Sequence, residues 1–276
     1  MADDPTTDPS ARRPFGRTGL AVTPICIGTS PLASMPRLYG YEVDDARAEA
    51  TVDAVLDGPF NFLDTSNNYG NGTAERRVGA VVRRRGLPDG FVLATKADAD
   101  PDTGDFSGER VRRSVEESLE RLGVDRVPVM YLHDPEFHIT FEEAMAPGGA
   151  VEALVMLRDE GVVGHLGIAG GPVDLMRRYV GTGVFEAVIN HNRWTLVDRA
   201  AGRCSTTRRP PGSPSSTAPR TAAACSSKAP TSSPDTPTAT PTSRCARRSA
   251  ACRPRARPTT CRSPPRRCSS RCATPG

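Results

Sequence analysis

From Ala201 to Gly276 the chain has no Leu, Ile, Val, Met, Phe, Tyr or Trp, and the last such side chain before that stretch is Val197. A segment without large apolar side chains cannot offset the entropy of ordering its backbone by burial. Disorder is therefore expected over 201–276, and any hydrophobic core must come from residues 1–200. The charge divides at the same place. The tail holds 15 of the 36 basic residues and one of the 32 acids, Asp235, for a net +14, which leaves residues 1–200 at −10 and makes the overall +4 a description of neither part. An acidic body of this kind is not a nucleic-acid binder by charge.

Two origins of the tail compete. One is a natural linker rich in Pro, Ser, Thr and Arg. The other, preferred here, is a shifted reading frame in a G/C-rich gene, since such frames yield Arg, Pro, Ser, Thr, Ala and Cys. Moving the frame back by one base, with G or C at most third positions, permits L-L-D-D-A-A-A across Arg203–Pro210. It permits G-V-A-V-V-N across Gly212–Thr217 and Y-G-G-G-M-L across Arg220–Ser226. These read as a helix end, a buried strand and a glycine turn. Seven of the eight cysteines (Cys204, Cys225, Cys245, Cys252, Cys261, Cys268 and Cys272) lie in the tail, without CxxC spacing and without any histidine, so neither a disulfide framework nor a metal site is expected. Cys26, in an apolar run, reads as a core thiol in a reducing compartment.

Residues 1–13 are polar, with no apolar stretch of signal-peptide type, and no run approaches 18 apolar residues. The expectation is a cytoplasmic protein with no membrane partner and no nucleic-acid partner. Oligomeric state cannot be read.

Between residues 14 and 200 the pattern is repetitive. PFGRTGLAVTP (14–24) reads as a β-hairpin, and ICIGTS (25–30) as a short buried strand, followed by a loop to Val43. Strands are then expected at 61–66, 91–96, 127–134, 164–170 and 185–192. Helices are expected at 44–56, 74–85, 107–122, from Phe141 or Gly149 to Glu160, and at 173–179. Six strand-then-helix repeats with β-branched strands argue a parallel sheet covered by helices. Periodicity does not separate a barrel from a doubly wound sheet. The latter lacks a GxGxxG or GxxxxGK[ST] fingerprint at ICIGTS.

Four ionisable side chains stand at equivalent points of the repeat: Asp64 at the end of one strand, Lys96 at the end of the next, His133 at the end of the third, and Tyr69 in the loop after Asp64. In a barrel those ends share one rim. Each alone has a structural explanation, as a turn brace, a solvated lysine, loop packing or a core histidine. Together they suit carbonyl reduction. Hydride addition leaves an oxyanion that needs a proton; a tyrosine can give it if a cation lowers its pKa; and an acid can hold that cation in place. Lys96 and Asp64 fill those parts, and His133 can hydrogen-bond the carbonyl oxygen.

The segments FGRTGLAVTPICIGTS, NFLDTSNNYGNGTAERRVG, FVLATK, SVEESLERLGVDRV, VMYLHD and LRDEGVVGHLGIAG occur in this order over residues 14–199. They resemble the aldo-keto reductase family, and within it the bacterial D-threo-aldose 1-dehydrogenase-like group. The resemblance implies an α/β fold, a (β/α)8 TIM barrel of which about six repeats are present. It implies NADP(H), or NAD(H), as cofactor and a small carbonyl compound or sugar as substrate. The catalytic tetrad it implies is Asp64, Tyr69, Lys96 and His133, with Tyr69 as general acid in reduction and base in oxidation. Cofactor contacts are implied at Gly28, Thr29, Ser30 and Asp64. The family's Ser-Asn pair against the carboxamide is replaced by Ala169 and Gly170, and His191 falls near a sixth-strand glutamine position; Trp194 is a candidate for the substrate mouth. The family's adenosine-phosphate segments correspond to the tail. The chain as written is therefore expected to be unstable, with little activity. The competing reading is a non-catalytic barrel remnant whose basic tail binds nucleic acid or acidic partners.

Overall fold

The computed structural model describes residues 8–204 and the strand Ala222–Ser226. A two-strand hairpin, β1 (Arg13–Pro14) and β2 (Ala21–Val22), precedes everything else, within the segment expected to form one. It closes one end of the sheet's inner face: Phe15 and Val22 are buried there, with the Phe15 ring 5.3 Å from that of Phe62 in an edge-on arrangement. Asn61 ties it down, accepting from the Thr23 amide at 2.8 Å and donating to the Ala21 carbonyl at 2.9 Å.

The main sheet runs β3 (Ile27–Gly28), β4 (Phe62–Asp64), β5 (Val92–Ala97), β6 (Val127–His133), β7 (Val163–Gly170), β8 (Ala187–His191) and β9 (Ala222–Ser226), in sequence order and parallel throughout. β3 and β9 are its edges. Helices α2 (Asp45–Leu56), α3 (Thr73–Arg85), α4 (Gly108–Leu122), α6 (Ala150–Asp159) and α7 (Val173–Gly181) alternate with the strands.

Side chains alternate along each strand and so divide the core in two. Leu63, Leu93, Met130, Leu132, Leu166, Ile168 and Val188 join the helix side chains in the larger cluster. Phe62, Val92, Ala94, Val129, Tyr131, Ala169, Ala187 and Ile189 form the second cluster, on the opposite face. That inner face is filled by side chains of unequal size: the space beside Gly167 is taken by the Tyr131 ring, which an added Cβ would approach to 2.2 Å.

Helix α4 shows how the local chemistry sets the elements. Ser107 accepts from the Arg110 amide and opens it, Gly123 at φ 70° closes it, and Val111, Val115 and Leu122 are buried along one stripe. Each such side chain contributes roughly 1.5–3 kcal/mol by leaving water.

Three expectations need correction. The first strand is two residues long rather than six, because the Thr29 amide and hydroxyl both turn to the Asp64 carbonyl and Pro31 begins a 3-10 turn, Ser30–Ala33. The loop to Val43 contains a one-turn helix, α1 (Pro36–Tyr39). Both proposed starts of the helix ending near Glu160 are real. A capping box at Thr140 and Glu143 forms α5 (Phe141–Met145), and Pro147-Gly148-Gly149 separate it from α6. Within 205–276 the described residues are those of a seventh strand: β9 pairs Ala222 with Ala187 through to Ser226 with His191. The rest of 205–276 lies outside the described residues, as does the expectation of disorder there. Among the described residues no helix is long and apolar enough to cross a membrane.

Candidate active site

Alternation also selects the site. Asp64 follows Phe62 by two, Lys96 follows Ala94 by two, His133 follows Tyr131 by two and His191 follows Ile189 by two, so all four continue the inner face by one step beyond its apolar layer. The register supports this: Asp64 pairs with Ala94 and Lys96 with Tyr131, so each strand reaches two residues past its neighbour to arrive at the same level, as the tilt of a curled sheet requires.

Asp64, Tyr69, Lys96 and His133 come together there. The Lys96 ammonium, 1% exposed, donates to Asp64 Oδ2 at 2.6 Å, to the Thr65 carbonyl at 2.5 Å and to the Tyr69 hydroxyl at 3.1 Å. The Tyr69 and His133 rings meet edge-on with centroids 6.0 Å apart. Burial would discharge Lys96, but the Asp64 carboxylate and Tyr69 outweigh it and hold the ammonium above its ordinary pKa. For Tyr69 the balance differs. Burial, reinforced by Asp64, pushes the phenol up to about 12 although Lys96 acts downward. A phenol made more acidic overall, as the sequence leads one to expect, does not result. Tyr69 is held protonated.

His133 has a partner that sequence reasoning missed. Asp98, 4% exposed, lies 2.6 Å from His133 Nδ1 through one oxygen; its other oxygen accepts from the Ser66 hydroxyl at 2.6 Å and the Asn68 amide at 3.0 Å. Burial raises the Asp98 pKa, but the His133 charge and these donors win and hold the carboxyl below its usual range. With an ionised acceptor beside it, Nδ1 is the nitrogen that carries a proton in either charge state of the ring. Among the described residues, Nε2 is buried and makes no hydrogen bond. The available signal was again alternation, since Asp98 follows Lys96 by two.

The loop that carries Tyr69 is pinned from the helix side. Asn67 donates to the Ser114 carbonyl at 3.0 Å and to Glu117 at 3.1 Å, while Arg110 and Arg121 donate to its side-chain and main-chain oxygens. Glu75, fully buried, accepts from Thr95 at 2.6 Å and pairs with Arg121 at 3.3 Å. Gly70, at φ 59°, packs so tightly that a Cβ would come 2.7 Å from the Ala33 carbonyl.

The remaining candidates divide. Thr29 is fully buried and bonded to the Asp64 carbonyl, Ser30 accepts from Tyr39 at 2.8 Å, and Gly28 faces open space, with nothing within 4 Å of an added Cβ. That opening beside Asp64 fits the approach of a flat ring. Ala169 and Gly170 offer no side-chain donors. A Cβ at Gly170 would strike Met176 and Glu136, and Glu136 takes the next amide, that of Gly171, at 2.7 Å. Nearby, Asn190 donates to the Gly170 and Gly171 carbonyls and keeps a buried Oδ1 with no partner among the described residues, an acceptor suited to a carboxamide NH2. His191 stands across from His133, with ring centroids 6.3 Å apart, and its Nε2 lies 3.4 Å from Asp134. Trp194 is half exposed and packs with Arg199 and Gly202 of its own loop. Cys26 packs against the inner cluster, and burial, then the Asp64 charge, push its thiol well above the usual value.

The sequence profile of the Aldo/keto reductase family matches residues 24–207, and the chain belongs to that family. It is 37% identical to L-galactose dehydrogenase of Arabidopsis thaliana over 164 residues, which are 59% of this chain and 49% of that protein. It is 31% identical to D-threo-aldose 1-dehydrogenase of a Pseudomonas species over 220 residues, 71% of this chain and 63% of that one. The chain thus spans about half to two thirds of these relatives. Among solved structures, the holo form of aldo-keto reductase AKR11C1 from Bacillus halodurans superposes with a TM-score of 0.55 and 25% identity, covering 65% of this chain and 57% of that chain.

Proposed function

We propose that the chain is a nicotinamide-dependent oxidoreductase that interconverts an aldehyde, ketone or sugar lactol with the corresponding alcohol or lactone, NADP(H) being the preferred cofactor. The observation that carries this reading is the Lys96 ammonium poised between Asp64 at 2.6 Å and the Tyr69 hydroxyl at 3.1 Å. Bound NAD(P)H supplies the hydride.

In reduction, Tyr69 gives its proton to the carbonyl oxygen as negative charge develops there. A phenol with a pKa of about 12 remains a far stronger acid than an alcohol, so the transfer is downhill, and Lys96 stabilises the phenolate left behind. Asp64 keeps Lys96 charged and fixed. His133, with Nδ1–H committed to Asp98, donates to a carbonyl only as the imidazolium; as the neutral ring it accepts a hydrogen bond from the hydroxyl of an alcohol substrate, whose proton goes to Tyr69. This departs from the simple donor role expected of it. It leaves Tyr69 as the proton donor for reduction. Asn190 Oδ1 and the open rim at Gly28 would hold and admit the nicotinamide in place of the absent Ser-Asn pair.

The family's adenosine-phosphate contacts correspond to positions outside the described residues. We therefore propose weak cofactor binding and low turnover for the chain as written. The relatives' names point to aldoses and other sugars as the first substrates to try. The test is to add aldehydes, ketones and aldoses to the protein with saturating NADPH, and the alcohols and lactols with NADP+. Cofactor turnover matched one-to-one by product supports the proposal. No turnover in either direction, with protein that is folded by circular dichroism, contradicts it.

A further inference from the structure

Three side chains at the rim, His133 of the proton chemistry above among them, form a cluster of possible metal ligands. His133, Asp134 and His191 each offer one ligand atom, and these atoms lie within 4.8 Å of one another. His133 Nε2 is 3.6 Å from Asp134 Oδ2, and His191 Nε2 is 3.4 Å from Asp134 Oδ1. A tetrahedral ion with bonds of about 2.0–2.1 Å holds neighbouring ligand atoms roughly 3.3 Å apart; each imidazole is near that spacing from its own oxygen of Asp134, and the 4.8 Å spread of the three atoms contracts when one ion is shared.

A second observation is independent of this clustering. His133 is 5% exposed, and its Nε2 is a buried nitrogen without a hydrogen bond among the described residues. The opposite nitrogen donates to Asp98 at 2.6 Å, and Asp98 is itself fixed by Ser66 and the Asn68 amide. A carboxylate behind one imidazole nitrogen and an unpartnered nitrogen opposite it is the arrangement of a metal-binding histidine, in which the carboxylate sets the tautomer and raises the ligand's basicity. Asp64, Asp98 and Asp134 bring three carboxylates to this rim, where Lys96 pairs with Asp64. Two imidazoles and one carboxylate select a borderline transition-metal ion over magnesium or calcium, and three protein ligands leave a coordination position for water.

We infer that His133, Asp134 and His191 bind one zinc-class divalent ion at the rim, with Asp98 as the positioning residue behind His133. An ion there occupies the His133 nitrogen that faces the substrate position, so zinc competes with the carbonyl compound rather than assisting its reduction.

Co2+ is the probe, added to the full-length chain and followed in the visible and near-ultraviolet. The tail cysteines can also take this ion, and the two are distinguishable because thiolates add an intense charge-transfer band that nitrogen and oxygen ligands lack. The expected result is one equivalent of Co2+ with a d–d band and no thiolate band, displaced by Zn2+. Asp134→Asn and His191→Gln are each expected to weaken binding at least about 10-fold, and Asp98→Asn about 10- to 100-fold. Binding that shows only the thiolate signature, no d–d band, or a titration unchanged in both Asp134→Asn and His191→Gln overturns the inference. The circular dichroism spectrum of each variant shows that it is folded before it is scored. No NADPH or carbonyl compound enters this assay, so its outcome is separate from that of the reductase proposal.

Discussion

Lys96 is the residue on which opposing demands converge. Burial favours the neutral amine, and Asp64 at 2.6 Å and Tyr69 at 3.1 Å favour the ammonium. The same ammonium pulls the Tyr69 phenol down against burial, and the balance of the two leaves it at about 12. Removing it by Lys96→Met sends the phenol higher still. Alcohol oxidation needs Tyr69 as the base, so its rate rises with pH as the phenolate forms. In the variant that rise moves to higher pH, and the rate at a fixed alkaline pH below it falls about 10-fold for each unit of displacement. A pH profile of NADP+ reduction that is superimposable on the parent's would refute this. At this scale much of the site was legible. Asp64, Lys96 and His133 end successive strands, and Tyr69 follows one of them. Asp98 was not found because it lies just past the end of its strand in a run of acids, Asp98, Asp100, Asp102 and Asp105, that reads as a solvated loop. Asp100 and Asp102 keep the same two-residue step as Ala94 and Lys96, and only Asp98 of the four is buried. The direction of the Tyr69 shift was hidden for a different reason: it is a difference between burial and charge, and sequence reveals the charge without the depth.

Among the elements, α3 and α4 must come unusually close to bring Glu75, Arg121 and Asn67 into one network behind the Tyr69 loop. Gly79 permits it, since a Cβ there would lie 1.9 Å from the Arg121 carbonyl oxygen. Backbone cannot give way as a flexible side chain can. Gly79→Ala is therefore expected to destabilise the fold by roughly 1–3 kcal/mol in spite of alanine's better helix propensity, read as a shift in the urea midpoint. A neutral or stabilising effect would mean that the two helices are not packed as described. Helices with clear caps, such as α2 behind Asp44 and α4 behind Ser107, were readable at their starts. What failed were features decided by tertiary partners. The first strand stops early because Thr29 turns to the Asp64 carbonyl, a residue far along the chain. β9 forms from an alanine-rich stretch with no strand pattern of its own, and it exists by pairing with β8.

At the level of the whole molecule, the match to the family ends at residue 207, ten residues past the last large apolar side chain, Val197. Two unrelated observables, similarity and composition, break at the same point. Resequencing the gene across codons 198–204 is expected to reveal one inserted or deleted base whose correction restores a hydrophobic final third; an intact frame would make the tail a natural segment. The corrected protein is expected to bind NADPH more tightly than the chain as written, by fluorescence titration. The central claim, that the inward-facing residues at the strand exits are the reducing centre, does not depend on the tail. It is tested most directly by the rate of NADPH oxidation in a single turnover, with saturating NADPH and an excess of protein over carbonyl compound, in the parent and in Tyr69→Phe. The account predicts a loss of about 10²- to 10⁴-fold with an unchanged melting temperature; equal rates in the two proteins would contradict it.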